Sequence, residues 1–254
     1  MTQTGSTALT VIAWISLAVA FASASAIAYD IFVRGYRQHM AIMHAVYPIT
    51  ALYWGPLAVW LYFRRGRRMS RRWAEERGAD MDEMMSDDRD EPRSAVAFAR
   101  KNWWPVSKGV SHCGAGCTLG DIVGEWLIYA FGWTIGGFAL EKYGTICADF
   151  VVDFGLAWTL GIVFQYYAIV PMRESIGRLE GIWAAIKADT LSILSFQLGL
   201  FGFMALYHLV IWDPPLSVAS SGYWLMMQIG MIVGFFTAWP VNVWLIRRGW
   251  KEKM

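Results

Sequence analysis

The chain has 254 residues, of which 56% are apolar and 17% are charged, and its formal net charge is +2. A soluble domain of this length usually has fewer apolar and more charged side chains, so the composition excludes an ordinary soluble protein. Three cysteines are too few for a disulfide-stapled secreted fold. Aromatic side chains make up 16% of the chain, including 15 Trp, which suits rings at the level of lipid headgroups.

The apolar residues occur in blocks of about twenty, the length that crosses a bilayer core of roughly 30 Å. No basic segment precedes the first block, so we expect a retained span there and not a cleaved signal peptide. The sequence therefore predicts an all-α, polytopic transmembrane helix bundle of six spans. These are Ala8 to Tyr29, Ala41 to Phe63, Thr118 to Leu140, Ile146 to Val170, Ala188 to Trp212, and Tyr223 to Ile246.

Lys and Arg are unevenly distributed between the predicted loops. With six spans, the second and fourth loops and the C-terminal tail share one side, which holds all of these residues except Arg34, Arg37 and Lys142. Cytoplasmic loops carry the excess of Lys and Arg, so both termini are predicted to be cytoplasmic. The expected location is a plasma membrane.

Three regions follow from this pattern: the first two helices over 1–63, a cytoplasmic loop over 64–111, and a four-helix core over 112–254. The loop begins with a basic run, Arg64 to Arg72, which is predicted to bind anionic lipid headgroups and not nucleic acid. It continues as GADMDEMMSDDRDEPR, which is acidic and poor in aliphatic residues, so part of the loop is expected to be mobile.

The third span begins with an unusual string, SHCGAGCTLGDIVGEW. On a helix, Cys113, Cys117, Asp121 and Glu125 recur every four residues and share one face, with His112 beside them. Thiolate and imidazole ligands suit Cu or Zn, whereas deeper carboxylates suit harder cations or protons. The sequence thus predicts a metal site on these five residues. The two thiols are equally consistent with a redox dithiol, and the acids with protonated or hydrogen-bonded structural groups.

Glycines follow the same four-residue period on a neighbouring face of this helix. Gly116, Gly120 and Gly124 form one row, and Gly132 and Gly136 continue the spacing. Rows of small residues let two membrane helices approach closely, so either set is a candidate surface for homo-oligomers.

Further polar residues lie near the ends of other spans. Asp149 and Asp153 stand four apart on the fourth span, and they are predicted to cluster at the outer end with His44 and His208. Asp189 is expected at the cytoplasmic end, beside the cysteines. Ionisable residues within spans are costly and mark ion or proton paths, so these five are predicted to line a transport path.

Several strings resemble a bacterial multi-pass family known as domain of unknown function 4396, some of whose members are labelled copper oxidase-like. They are SHCGAGCTLGDIVGEW, ITALYWGPLAVWLY, GIVFQYYAIVPMR, WAAIKADTLSILSFQLGLFG and MMQIGMIVGFFTAWPVNVWLIRRGWKEKM. The resemblance covers nearly the whole chain beyond the first span. It implies a multi-pass protein of the bacterial plasma (inner) membrane, and the copper label agrees with the cysteine pair. Four histidines are too few for a multicopper oxidase.

Three functions remain open at this point. The first is a transporter or channel for a transition-metal cation, copper-like, or for a proton-coupled solute. The second is a membrane redox protein that binds one haem or copper through His44 and His208. The third is a non-catalytic accessory subunit of a membrane complex. The sequence shows no recognisable pairing of a nucleophile with a general base. No catalytic residue is therefore assigned, and an enzymatic function is disfavoured.

Overall fold

A computed structural model of the chain describes residues 7–79, 92–131, 144–169, 177–211 and 216–253. These ranges are helical and contain no strand, apart from an isolated bridge between Gln38 and Ser70. Short π-helical turns follow three of the helices and extend them to Val33, Gly66 and Ile211. The helices are α1 Thr7–Ala28, α2 Met43–Trp54, α3 Pro56–Leu61, α4 Arg71–Arg77, α5 Ala95–Lys101, α6 Trp103–Phe131, α7 Gly144–Ile169, α8 Arg178–Leu206 and α9 Ser221–Arg247.

Four helical segments of the described residues are long and apolar enough to cross a bilayer, so the protein is a helical membrane protein. Helix α6 has 29 residues, or about 43 Å, and is long enough as well, but it carries the polar string. It begins at Trp103, inside the region predicted as a loop, and its predicted last residues lie outside the described ranges. The four segments are Thr7–Val33, Asp149–Ile169, Arg178–Ile211 and Ser221–Arg247.

Helix α6 runs through the centre of a four-helix core, packed between α7, α8 and α9. Near its start, the Gly109 carbonyl accepts a hydrogen bond from Lys251, just beyond α9. Further along, Glu125 accepts a hydrogen bond from Tyr223 at the start of α9. The two helices are therefore antiparallel, and α6 buries its polar groups against protein.

The chain between Met43 and Gly66 enters the bundle and returns on the same side. The rings of Tyr47 and Tyr62 have centroids 5.3 Å apart. A Cβ placed on Gly66 would lie 2.9 Å from Cζ of Tyr47, whereas a straight helix would separate these residues by about 28 Å. Helices α2 and α3 thus form a re-entrant hairpin, and the prediction of a single span from Ala41 to Phe63 is wrong.

The reversal has a local cause at Gly55 and Pro56. Gly55 ends α2 and has φ +52°, a backbone conformation that residues other than glycine rarely adopt. Pro56 then starts α3, where its missing N–H costs nothing. The tip reaches the middle of the bundle, since Trp54 packs edge-on against Phe235 and the Leu52 carbonyl accepts a hydrogen bond from Gln228.

Helix α1 runs parallel to α9. Leu9 lies beside Gly222, and the Ser16 hydroxyl donates a hydrogen bond to Gln228, which is further along α9 than Gly222. The start of α1 and the end of α9 therefore lie at opposite ends of the bundle. The prediction that they share one side is wrong, because it counted the hairpin as a span.

The two ends of the bundle differ in charge, and we name them accordingly. The basic end is where the hairpin is clasped: buried Asp30 pairs with Arg34 at 3.2 Å and Arg67 at 3.3 Å and accepts a hydrogen bond from Tyr62. Arg65 stacks there on Trp103, the first residue of α6. The far end carries the start of α1 and the start of α9. Several arginines of the predicted headgroup anchor are thus engaged within the protein.

Candidate functional site

The predicted stripe of α6 faces protein along its whole length. Cys113, Cys117 and Asp121 have 0% exposure, and Glu125 has 8%. Their shared face packs against α8 and α9 on one side and α7 on the other. With their partners on those helices, these side chains form a continuous polar row that extends from the basic end toward the far end.

At the basic end, the row starts with hydroxyl, amide and thiol groups. The Cys113 thiol lies 2.9 Å from Oγ of Ser192 on α8. The side-chain amide of Asn242 on α9 donates to the same oxygen at 2.7 Å. One turn closer to the basic end, Asp189 forms a 2.6 Å ion pair with Lys251, and both side chains are fully buried.

The middle of the row is formed by Cys117 and Asp121. Gln197 of α8 donates a hydrogen bond to Oδ1 of Asp121 at 2.8 Å, and Oδ2 has no partner among the described residues. Cys117 lies between this pair and Cys113, and both thiols are free. Cys113, Asp121 and Glu125 therefore each have a hydrogen-bonding partner on another helix.

Toward the far end, three carboxyl groups come together. Tyr223 donates a hydrogen bond to Oε1 of Glu125. Asp153 of α7 lies against Gly124 and faces both Glu125 and Asp121. Asp149 is one turn further out on α7, where it faces Glu125.

No Lys or Arg in the described ranges pairs with Asp121, Glu125 or Asp153. Three carboxyl groups this close together in a low-dielectric interior cannot all be ionised, because burial and mutual repulsion both disfavour the charged form. The cluster must therefore hold one or more protons, since its carboxyl groups do not converge as the ligands of a metal ion within the described residues. This requirement is the main chemical property of the site.

The glycine row determines how closely α7 approaches the site. A Cβ on Gly116 would lie 2.6 Å from Cα of Gly161, and one on Gly120 would lie 2.5 Å from Cα of Ala157. Gly124 likewise leaves room for the Asp153 carboxyl group, which a Cβ at this position would displace. The row is thus occupied by a helix of the same chain, and the prediction that Gly116, Gly120 and Gly124 form an oligomer surface is wrong. Gly132 and Gly136 lie outside the described residues.

The predicted outer cluster of histidines and aspartates does not form. His44 begins the re-entrant hairpin at the basic end, where its Nε2 lies 3.3 Å from the Gln38 carbonyl. His208 lies at the far end, edge-on to Tyr223. One haem or copper cannot bind both, so that pairing is wrong. His208 and the carboxyl cluster are both near Tyr223, whose ring centroid lies 6.3 Å from that of His208 and whose hydroxyl donates to Glu125. That these residues line a transport path stays a prediction.

The five residues of the predicted metal site do not form a single cluster. His112 points away from the row and packs edge-on against Phe164. Within the described parts of the chain, no three His, Cys, Asp or Glu side chains converge as ligands. Two thiols are nevertheless a donor set that Cu(I) favours. A Cu or Zn ion held by Cys113 and Cys117 stays a prediction.

Sequence reasoning missed the partners that α8 and α9 supply to the row. Lys251 was counted with the C-terminal tail, although it is buried beside Asp189. Ser192, Asn242 and Tyr223 are ordinary residues within apolar helices, and no spacing marks them. The available indication was Gly249, which allows the tail to turn back on α9.

Fold and site together define a helical membrane protein whose core is crossed by buried acids and thiols. The model of the family described as a domain of unknown function, DUF4396, matches residues 102–251. The chain therefore belongs to the DUF4396 family. The match extends from just before α6 to Lys251, which includes the polar row and leaves out α1 and the hairpin. No curated protein and no solved structure matches the chain.

Proposed function

We propose that this protein is a membrane transporter or channel that passes protons or a small cation through the four-helix core, along the polar row. The observation that supports this proposal is the cluster of Asp121, Glu125 and Asp153, buried and without a basic partner among the described residues. A structural role alone does not account for it, because hydrogen-bonded amides would pack as well without the cost of burying acids.

The arrangement suggests stepwise transfer along the row. A proton or cation that enters from the basic end passes Cys113 and Cys117 and reaches Asp121. Asp121 and Glu125 are one turn apart on α6, and Asp153 faces both of them from α7. Asp149 and His208 then lead toward the far end. The carboxyl groups are also suited to carry coupling protons for a solute.

A transition-metal cargo depends on the two thiols. Cys113 and Cys117 are free and buried, one turn apart, which suits capture of a soft cation such as Cu(I). Metal analysis of the detergent-solubilised protein tests this cargo. We expect copper to bind the wild type and not the Cys113→Ser/Cys117→Ser variant, whereas equal copper content in both would contradict it.

The topology proposed is five spans, α1 and α6 to α9, with the re-entrant hairpin inserted from the basic end. Both ends of the hairpin then lie on the side of the long loop. Arg34 and Arg37 are therefore on the same side of the membrane as most of the other Lys and Arg residues. Of the 22 Lys and Arg residues, only Lys142 falls in a connection at the other end. The positive-inside rule makes the basic end cytoplasmic, in the plasma membrane of a bacterium.

Flux measurements in proteoliposomes test the function. A pH-sensitive dye trapped inside reports proton entry when a potassium diffusion potential is imposed, and the same vesicles are tested with copper and with monovalent cations. We expect flux in the wild type. Glu125→Gln keeps the acceptor for Tyr223 but cannot bind a proton or a cation as a carboxylate does. It should lower flux by about tenfold or more, the effect of about 1.4 kcal/mol on a barrier.

Glu180→Gln is the matched control, because Glu180 is an exposed acid in the first turn of α8. It should leave flux unchanged. Wild-type flux equal to that of protein-free vesicles for every cation would reject the proposal. A Glu125→Gln protein that fails to assemble, with no flux in the wild type, would point to an accessory subunit instead.

A further inference from the structure

The C-terminal tail folds back onto the basic end of the bundle. Helix α9 ends at Arg247, and Gly249 reverses the chain with φ +67°. The backbone N–H groups of Trp250 and Lys251 both donate to the Leu245 carbonyl. The Trp250 ring packs on Trp244, with centroids 5.5 Å apart. The turn directs the Lys251 side chain between α6, α8 and α9.

The Lys251 ammonium is bound in a pocket lined by oxygen atoms. It donates to Oδ1 of Asp189 at 2.6 Å and to the Gly109 carbonyl at 3.2 Å. The side-chain oxygen of Asn242 and Cε of Lys251 both lie against Gly109, at 3.8 and 3.6 Å from its Cβ position. Neither that oxygen nor Oδ2 of Asp189 has a hydrogen-bond partner among the described residues, although both are buried.

This set of ligands suits a small hard cation or an alkylammonium group. A carboxylate, a backbone carbonyl and an amide oxygen are the donors that such ions use in proteins. Burial lowers the pKa of Lys251, but the surrounding acidic groups, Asp189 first and then Cys113 and Cys117, together outweigh burial, and the pKa is raised overall. Lys251 is therefore a fixed positive charge at the entrance to the polar row.

We propose that Asp189, Asn242 and the Gly109 carbonyl form a cation site at the basic end of the row and that Lys251 is its built-in occupant, which blocks the row. The role as entrance to a transport path rests on the proposed function. The next polar groups inward are Ser192 and Cys113, which Asn242 links to the site. Access to Cys113 from this end requires the tail to withdraw.

Withdrawal of the tail cannot leave the site empty. Removing one partner of a buried ion pair exposes the other to the full cost of an unpaired charge in a low dielectric. A cation or a proton must therefore replace Lys251 as it leaves. This exchange couples opening of the tail to loading of the row, so the closed state does not leak.

Thiol labelling tests the occupant independently of transport. In a Cys147→Ser background, a membrane-impermeant maleimide is added to proteoliposomes from the basic end. We expect Cys113 to react about tenfold faster in Lys251→Met, which corresponds to about 1.4 kcal/mol in the opening equilibrium. Met is chosen because it keeps the length of the Lys side chain but not its charge. Lys253→Met, in the same tail, is the control and should label like the parent.

General loosening of the fold is detected separately. A Met204→Cys reporter, buried in the core near the far end, should stay unlabelled in both variants. If Lys251→Met does not purify as a folded protein, Lys251→Met/Asp189→Asn removes the unpaired charge and is labelled in its place. Labelling of Cys113 at the parent rate in a folded variant would overturn the blocking role.

Refilling tests the cation site itself. Methylammonium added to Lys251→Met should slow labelling of Cys113 toward the parent rate, since it restores an ammonium group to the oxygens. Tetramethylammonium has no N–H to donate and should have no effect. Absence of protection by methylammonium would overturn the cation site. Faster labelling and protection without flux in any variant would reject the proposed transport function and leave the site and its occupant intact.

Discussion

Single side chains of the row are neutralised in two different ways. Asp189 is paired with a buried ammonium group, so its charge is balanced within the protein. Among the described residues, Asp121 accepts a hydrogen bond from an amide, and Glu125 from a phenol. A neutral donor does not offset the burial of a full negative charge. The first acid is thus paired within the protein, while the inner acids depend on protons.

The Tyr223 hydroxyl is predicted to stabilise the fold through Glu125. Tyr223→Phe removes the donor and leaves a buried carboxyl group without its partner, which costs about 1–3 kcal/mol. Thermal unfolding in detergent, followed by size-exclusion chromatography, should show a lower midpoint. Tyr129→Phe is the matched control, because Tyr129 is exposed on the same helix as Glu125. This variant should unfold at the same midpoint as the wild type. Equal midpoints for both variants would contradict the contact.

At the scale of elements, two departures from regular packing build the site. Glycines on α6 bring α7 so close that Asp153 reaches the acids of α6. The hairpin tip closes the other side, where the Tyr53 hydroxyl lies 3.0 Å from the Cβ position of Gly114. Close backbone approach is the usual basis of helix association in membranes, where burial of apolar surface gives little driving force.

The contact between α6 and α7 can be tested with two glycines on facing helices. Gly120→Ala places a methyl group against the Ala157 backbone, and overpacking of this kind costs about 1–3 kcal/mol. Gly155→Ala meets nothing within 4 Å and should be neutral or stabilising by about 0.5–1 kcal/mol, since Ala favours the helix. The unfolding midpoints should therefore move in opposite directions. A similar loss for both would show that the helices are not in this register.

At the scale of the whole molecule, the hairpin changes the topology. A re-entrant segment adds no crossing, so the chain after it remains on the side where α1 ended. Helix α6 then starts from the basic end, and the four core helices place Asp189 and Lys251 together at that end. The arginines of the clasp at Asp30 keep both arms of the hairpin at the same surface.

Cysteine labelling distinguishes this topology from six spans. In a Cys147→Ser background, an impermeant maleimide is applied to intact cells and then to inverted vesicles. Arg37→Cys and Arg68→Cys flank the hairpin and should both react in inverted vesicles only, whereas Ser217→Cys, before α9, should react in intact cells. Six spans would place positions 37 and 68 on opposite sides. Reaction of Arg37→Cys alone in intact cells would therefore reject the hairpin.

Composition and periodicity alone determined the class of protein and the buried face of α6. Apolar blocks of bilayer length predict membrane helices, because no other structure satisfies the backbone in lipid. The four-residue spacing of Cys113, Cys117, Asp121 and Glu125 predicts a shared face by helix geometry, and the cost of exposing acids to lipid predicts that this face meets protein. Both expectations are confirmed by the described helices and their burial.

Only the tertiary structure decided which residues complete the row and which end each one occupies. The Gly55–Pro56 pair is compatible with a kinked span or with a reversal, and the contact of Tyr47 with Tyr62 selects the reversal. Ser192, Asn242 and Tyr223 acquire their roles from helices distant in sequence, and Lys251 from a turn beyond the last helix. Local spacing determines which face a residue shares within its helix. The partner of that face depends on the packing of all helices at once.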